Sequence, residues 1–418
     1  MTTGPSRPGL LLVGGAGPVS LSEAVAAQAL AQAGAHGLHT HLTNQAEALK
    51  AAPALSELAD AASTVDFTEP GVSAGWARDR VTAGESFDVV LGVREYAQVA
   101  VAETAAALGL PGNPPEAVRT VRVKDDCRAV LAAAGFRQPA FRVCSGAEEA
   151  ADFLRASGGP WIVKPRDAMG SLGVSRVTGP GELDAALDAL PDSSAPFLVE
   201  EFVEGPEYSV EGLFLDGQPR VLAVTAKEVM APPLFVELGH VMPAVLPDEA
   251  RTEMEQQVVA ALRHLGLRFG VFHVELWLTP DGVVLGEVHV RIGGDWIHLL
   301  LEHVIEGLDL FGRVCDDALG RPAATGPLTP TRGAAVRFLV APQGRLERID
   351  GWQQVVDHPA VLHAELDVRP GDLIGPVRDS GSRSAVIVVG ADTADEARRI
   401  AGELASAVHF TVSPAQES

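Results

Sequence analysis

By type and spacing, two glutamates near the middle of this 418-residue chain are the residues best placed to do chemistry. Residues 271–279 and 283–290 read as strands, and Pro280-Asp281-Gly282 reads as a three-residue hairpin loop between them. Alternate side chains of a strand share a face. Val271, His273, Glu275 and Trp277 therefore share one face, and Glu287, His289 and Arg291 share one on the next strand. With a three-residue loop, Glu275 sits directly across from Glu287, their Cβ atoms about 5 Å apart. Like charges so placed destabilise a sheet unless a cation lies between them. A solvated polar face is the plain alternative, but Leu, Val and Trp surround both glutamates, which favours burial. Two buried carboxylates suit Mg²⁺, which takes one or two of them and completes its shell with water and phosphate oxygens. Arg291-Ile-Gly-Gly-Asp295 follows, a fixed cation beside a flexible backbone.

A second group lies upstream. Ile162-Val163-Lys164-Pro165 reads as a strand end, and Met169-Gly170-Ser171-Leu172-Gly173-Val174 as a small glycine loop. Such a loop after a lysine can bring one positive charge and several backbone N–H groups to phosphates. No Gly-Lys-Ser/Thr opens a helix here, so this is not the P-loop pattern. In a third segment, Glu200, Glu201, Glu204 and Glu207 follow the apolar Leu198-Val199. Backbone carbonyls there could accept from an adenine amino group, and a carboxylate could hold a ribose. Taken alone, a solvated strand end is the simpler reading.

These groups need a scaffold. The first hundred residues alternate strands (Leu10–Val13, 87–92) with Ala-rich helices, which implies a parallel sheet. Ser20 with Glu23, and Ser145 with Glu148, have the capping-box spacing. Pro111–Pro115 reads as a boundary, followed by a charged helix bearing Lys124. Residues 208–215 and 221–225 read as a hairpin around Asp216-Gly217, and 248–265 as a long helix. Thr325–Thr331 reads as a linker, and a capped helix is expected over 393–406.

The formal net charge of −23 argues against a non-specific nucleic-acid binder, which needs a basic surface. It leaves anionic small substrates open, because a few local cations can hold a phosphate. A hydrophobic fraction of 47% excludes general disorder. Cys127, Cys144 and Cys315 are far apart and odd in number, which suits a reducing compartment. No apolar run is long enough to span a membrane. A cytoplasmic protein with no membrane or nucleic-acid partner is expected. A dinucleotide fingerprint fails because Ser20 stands at the third glycine after Gly15 and Gly17. His298-Leu-Leu-Leu-Glu302-His303 has one residue too many for a zinc hydrolase helix, and His39 and His41 have no third ligand nearby.

Read in order from Lys124 to Arg291, these pieces resemble the ATP-grasp superfamily. The resemblance implies an α/β (α+β) chain with a Rossmann-like N-terminal domain over 1–114. An ATP-grasp domain with an antiparallel sheet would cover 115–330, its lid about 138–199, and a small C-terminal α+β domain 331–418. Lys124 and Lys164 would hold ATP phosphates under a loop containing Gly170, Ser171 and Gly173. Glu200, Glu201 and Val203 would form the adenine hinge, Glu207 would bind the ribose and Lys227 would reach the phosphates. Glu275 and Glu287 would hold Mg²⁺ or Mn²⁺, and Arg291 would bind an acyl phosphate and the tetrahedral intermediate. His289 departs from the Asn usual in the family, and imidazole is a poor Mg²⁺ ligand beside oxygen donors.

Phe235–Pro243 and the tail 334–412 resemble L-amino-acid ligases of the bacilysin-synthetase type. That resemblance implies an ATP-dependent ligase joining a carboxylate to an amine through an acyl phosphate, giving amide or peptide, ADP and phosphate. Antibiotic or other secondary-metabolite biosynthesis and a homodimer are further expectations. Glu237, His240, His289, Gly294 and Asp295 become candidate substrate contacts. An ATP-grasp carboxylase or a non-catalytic nucleotide-binding module are the alternatives.

Overall fold

Leu10, Leu11, Leu12 and Val13 are all fully buried, as an uninterrupted apolar run requires when both faces of a strand are covered. Leu10 and Leu12 join one core and Leu11 and Val13 another. Gly9–Val13 is an inner strand of a four-stranded parallel sheet ordered Ala61–Thr64, His39–Asn44, Gly9–Val13, Val89–Leu91. The computed structural model describes residues 7–15, 17, 19–231, 234–322, 326 and 328–414. Ala16 and Pro18 of the first glycine loop, and Thr325 and Pro327 of the linker, lie outside the described residues.

Two capping expectations are corrected. The helix Ser20–Ala35 begins after Val19 with no side-chain cap, and the Ser20 hydroxyl donates instead to Glu365, 2.5 Å away. The helix Ala147–Ala156 begins after Gly146, and Glu149 rather than Glu148 reaches back to the Ser145 N–H at 2.7 Å. The capping position is the extended Val19 in the first and the extended Gly146 in the second, one residue before and one after the expected serine. Thr393 caps the helix Ala394–Ala407 as expected, accepting from the Glu396 N–H.

Glu207, Lys227, Glu237, His240, Glu275, Glu287 and His289 sit on an eight-stranded antiparallel sheet. Its order is Gly282–His289, Val271–Thr279, Glu207–Leu215, Gln218–Val229, Glu237–Met242, Gly333–Leu339, Ala385–Ala391, Val361–Leu366. The helix Asp248–His264 packs on one face through Met254, Val258, Ala261 and Leu262, the spacing of one helical stripe. The sheet takes strands from both sides of residue 330, because Glu237–Met242 pairs with Gly333–Leu339. The C-terminal residues thus extend the central sheet by three strands. They add a three-stranded sheet of Leu373–Ile374, Gly344–Asp350 and His409–Ser413.

A separate four-stranded antiparallel sheet, ordered Phe141–Cys144, Phe197–Glu201, Trp161–Pro165, Ser175–Val177, occupies the expected lid segment. It has its own core, with Phe153, Leu154, Leu183 and Ala186 from two short helices packed on Trp161, Val163 and Val199.

The 271–289 hairpin differs from expectation at its turn. Thr279 pairs with Gly282, so only Pro280 and Asp281 lie in the loop, which alone would shift the register by one. A bulge restores it: Gly286 and Glu287 together oppose Glu275, between the Val274–Val288 and Leu276–Leu285 pairs. Gly286 is required there, since a Cβ would lie 2.9 Å from the Glu275 carbonyl oxygen and 3.0 Å from Trp277.

Candidate active site

The hairpin, the lid and the loops after the N-terminal strands enclose one cleft with two lobes. The first, about 170 Å³, lies under the lid; the second, about 400 Å³, opens toward the N-terminal unit. Met169, Gly170, Glu237, Glu275 and Arg291 line both, so the lobes are continuous.

Glu275 and Glu287 stand at the junction, each neutralised by cations from other elements. Glu287 lies 3.3 Å from Lys124 and 3.9 Å from Lys164. Glu275 lies 3.3 Å from Lys227 and 3.3 Å from His273 Nε2. Burial favours the neutral carboxyl, but Lys227 and His273 hold Glu275 well below the usual carboxylate range, and Lys124 and Lys164 lower Glu287. Burial works against charge on His273 too. Glu211, 2.8 Å away, and Glu275 override it and raise the imidazole to about 9. The pair therefore lies in a cation-rich setting rather than on a solvated face.

In the lid lobe, Lys124 opens the helix Lys124–Ala133 and donates to the Ala168 carbonyl at 2.6 Å. Lys164 ends the Trp161–Pro165 strand, its ammonium 2.7 Å from Glu200. Glu200 also takes Arg128 at 2.8 Å, and Arg128 is 1% exposed. The Glu200 carboxylate is thus committed to holding Lys164, and only its backbone is left to face a nucleotide. Glu201, Phe202 and Val203 line the same lobe. Glu207 lines it too and pairs with Lys227. Lys227 also lies 3.5 Å from Glu237, and three carboxylates keep its ammonium protonated against burial. Gly170 and Ser171, both left-handed, line the lobe, and the Ser171 hydroxyl donates to the Phe235 carbonyl at 2.8 Å. Gly173 lies in the same loop and is left-handed too. It does not line the cleft itself, and a Cβ on it would lie 2.8 Å from Pro191, so a glycine lets the loop pack closely on residues 189–191.

The second lobe gathers His240, Gly294 and Asp295 with Lys227, Glu237 and Arg291. His240 Nε2 lies 2.8 Å from Asp295, whose carboxylate also accepts two bonds from Arg383, at 2.7 and 3.0 Å. Arg383 and His240 hold Asp295 well below its usual range although burial opposes this. Asp295 and Trp296 both adopt left-handed backbone (φ 54 and 64). For residues other than glycine this costs of order 1–3 kcal/mol each and persists only where the surroundings enforce it.

Four contributors escaped sequence reasoning. Glu95, from the N-terminal unit, accepts from Arg291 Nε at 2.7 Å and lies 2.9 Å from His289 Nδ1. Ser380 and Arg383 come from the C-terminal residues. Nothing local marks these three. Arg128 could have been found, since it lies one helical turn after Lys124 and so shares its face.

The ATP-grasp domain description matches residues 157–298, and that of the L-amino acid ligase C-terminal domain 2 matches residues 337–413. The uncharacterized protein y4rH of Sinorhizobium fredii is 31% identical over 340 residues, covering 79% of this chain and 70% of that one. The chain belongs to the ATP-grasp superfamily. Its C-terminal residues and its central residues resemble those of L-amino acid ligases. The alanine–anticapsin ligase of Bacillus subtilis is 27% identical over 206 residues, which span 43% of each chain. The ATP-grasp fold is shared with the crystal structure of an L-amino acid ligase from Bacillus licheniformis, at a TM-score of 0.79 and 24% identity, covering 98% of this chain and all of that one.

The ATP-grasp cleft offers donors that fit Mg²⁺. Glu275 and Glu287 are hard carboxylates brought together by the bulge, and both face the lid lobe. Glu95 takes His289 Nδ1 at 2.9 Å and so orients the imidazole, whose Nε2 lies 3.6 Å from Glu287. No cluster of three or more His, Cys, Asp or Glu side chains arranged for a metal occurs among the described residues. Such a cluster is a requirement of all-protein cages, whereas Mg²⁺ draws most of its shell from water and phosphate.

Proposed function

We propose that this protein joins a carboxylate substrate, an amino acid or a related acid, to an amine, with ATP converted to ADP and phosphate. The observation that carries this reading is the two-lobed cleft, in which Lys124, Lys164, Glu275 and Glu287 in one lobe meet Arg291 at the mouth of the other. The similarity to alanine–anticapsin ligase supports amide formation. It also makes a role in secondary-metabolite biosynthesis part of the proposal.

A carboxylate is a poor electrophile, and phosphorylation gives it a leaving group. In this reading the γ-phosphoryl group passes to the acid and the amine then attacks the acyl carbon, expelling phosphate. Phosphoryl transfer is governed by positioning and positive charge. Lys124 and Lys164 supply both from rigid elements, each already fixed by a carbonyl or a carboxylate. Mg²⁺ held by Glu275 and Glu287 would neutralise phosphate oxygens. Arg291, aimed by Glu95, would stabilise the oxyanion that forms when the amine adds. Glu237 and Asp295 offer anionic contacts for an ammonium group in the second lobe. The lid and the 169–173 loop would keep water from the activated acid.

The test is ADP release with a panel of carboxylates and amines, each product identified by mass. The reading requires ADP and a condensation product in equal amounts for at least one pair. ADP release that depends on bicarbonate alone would favour a carboxylase. No ATP consumption with any acceptor would favour a non-catalytic module.

A further inference from the structure

The C-terminal residues contribute to the cleft through one short loop. Ser380–Ser382 forms a 3-10 turn, boxed at its start by Asp379 and Ser382. From this turn the Ser380 N–H donates to the Gly170 carbonyl at 3.0 Å, while its hydroxyl donates to Glu237 at 3.0 Å. Arg383 then locks the turn. Its Nε donates to the Ser380 carbonyl at 2.8 Å and its two terminal nitrogens to Asp295. The guanidinium lies over the Phe338 ring, 3.6 Å from its centroid, on a strand of the central sheet. With both terminal nitrogens on Asp295 and Nε on the turn, Arg383 has little left for a substrate. Its bonds instead hold Asp295 in its left-handed conformation, four residues after Arg291.

We propose that Ser380 and Arg383 are positioning residues that couple the two lobes: the Ser380 N–H latches the phosphate-covering loop at Gly170, and Arg383 ties that latch to Asp295 in the acceptor lobe. Order in the acceptor lobe is thereby order in the loop over the nucleotide. The lid and the C-terminal residues share no sheet, and this contact carries the loop's position across the cleft.

The proposal rests on the ligase reading for what the loop covers, and its test separates the two. Ser380→Pro removes the N–H and sets a ring carbon against the Gly170 carbonyl. Proline is tolerated at the first position of a helical turn. Asp379 is already extended, as a residue before proline must be. Ser380→Ala removes only the hydroxyl. Hydrogen exchange is followed on the full chain for wild type, S380P, S380A and Arg383→Gln, and binding of AMP-PNP with Mg²⁺ is measured by calorimetry. S380P and R383Q are expected to speed exchange over 168–174 about fivefold or more and to weaken AMP-PNP about tenfold. S380A is expected to keep wild-type exchange there. A purely local structural role would loosen 293–297 and 378–384 alone. The proposal is overturned if S380P leaves both exchange over 168–174 and nucleotide affinity at wild-type values, or if S380A loosens the loop as much as S380P does. If wild type itself binds no AMP-PNP, the ligase reading fails, and the exchange comparison still judges the latch.

Discussion

Glu95 is buried against two arginines and an imidazole, taking Arg291 at 2.7 Å, His289 at 2.9 Å and Arg122 at 3.8 Å. Burial alone would push its carboxyl up, but His289 and Arg291 hold it well below the usual range. It fixes the Arg291 guanidinium and pairs with the His289 imidazole. Glu95→Gln is expected to lower kcat by about a hundredfold, the scale of a misplaced catalytic group, with little change in KM for ATP. Steady-state kinetics on the pair found by the panel checks this. An unchanged kcat would show that Arg291 needs no such aim. Glu95 illustrates why part of the site could not be read from the chain. It lies 196 positions from Arg291 in an Arg-Glu-Tyr stretch with no motif. Lys164, Glu275, Glu287 and Arg291 were legible because strand alternation and short turns place them by local rules.

Among the elements, the 271–289 hairpin decides the geometry of the pair. The facing of Glu275 and Glu287 was legible from alternation, but the route to it was not. A two-residue turn and a bulge together give the register that a three-residue turn would have given. A bulge depends on what packs beside it, here Trp277 and the Glu275 backbone, which no local pattern announces. Gly286→Ala would set its new carbon 2.9 Å from a backbone oxygen that cannot move without shifting the strand. It is expected to destabilise the fold by about 1–3 kcal/mol, as overpacking does. Thermal unfolding checks this, and a melting temperature equal to wild type would place the bulge elsewhere. The lid sheet was legible as a segment because its strands alternate with polar turns. The ion pairs of the Glu200 carboxylate were not legible, because an acidic strand end looks alike whether it faces a ligand or a buried lysine.

For the whole molecule, histidines shifted in opposite directions set the response to pH. His41 and His298 are pushed down to about 4, chiefly by burial. The unfolded chain takes up their protons near 6.5, so their contribution to stability falls as pH drops from about 6.5 toward 4. His273, raised to about 9, and His36, raised between Asp309 and Asp316, act the other way. Their contribution is complete below about 6.5 and is lost as pH rises through the folded value. Glu95, Glu211 and Asp295, all lowered, add loss on the acid side. The melting temperature is therefore expected to peak near pH 6.5 and to fall on both sides. A flat profile between about pH 5 and 9 would contradict these assignments. The overall architecture was legible because each unit has its own periodicity. The continuity of the central sheet into the C-terminal residues was not, since it depends on pairing across the 90 residues between Glu237–Met242 and Gly333–Leu339.

The account stands on Glu275 and Glu287 holding a divalent ion beside the nucleotide. The most direct measurement replaces Mg²⁺ with Mn²⁺ and follows free Mn²⁺ by electron paramagnetic resonance in the presence of ADP. Wild type should sequester Mn²⁺ only with nucleotide present. Glu275→Gln and Glu287→Gln, with melting temperatures confirming their fold, should each weaken that binding at least about tenfold. If both variants take up Mn²⁺ with ADP as tightly as wild type does, the metal lies elsewhere and the assignment of this pair is wrong.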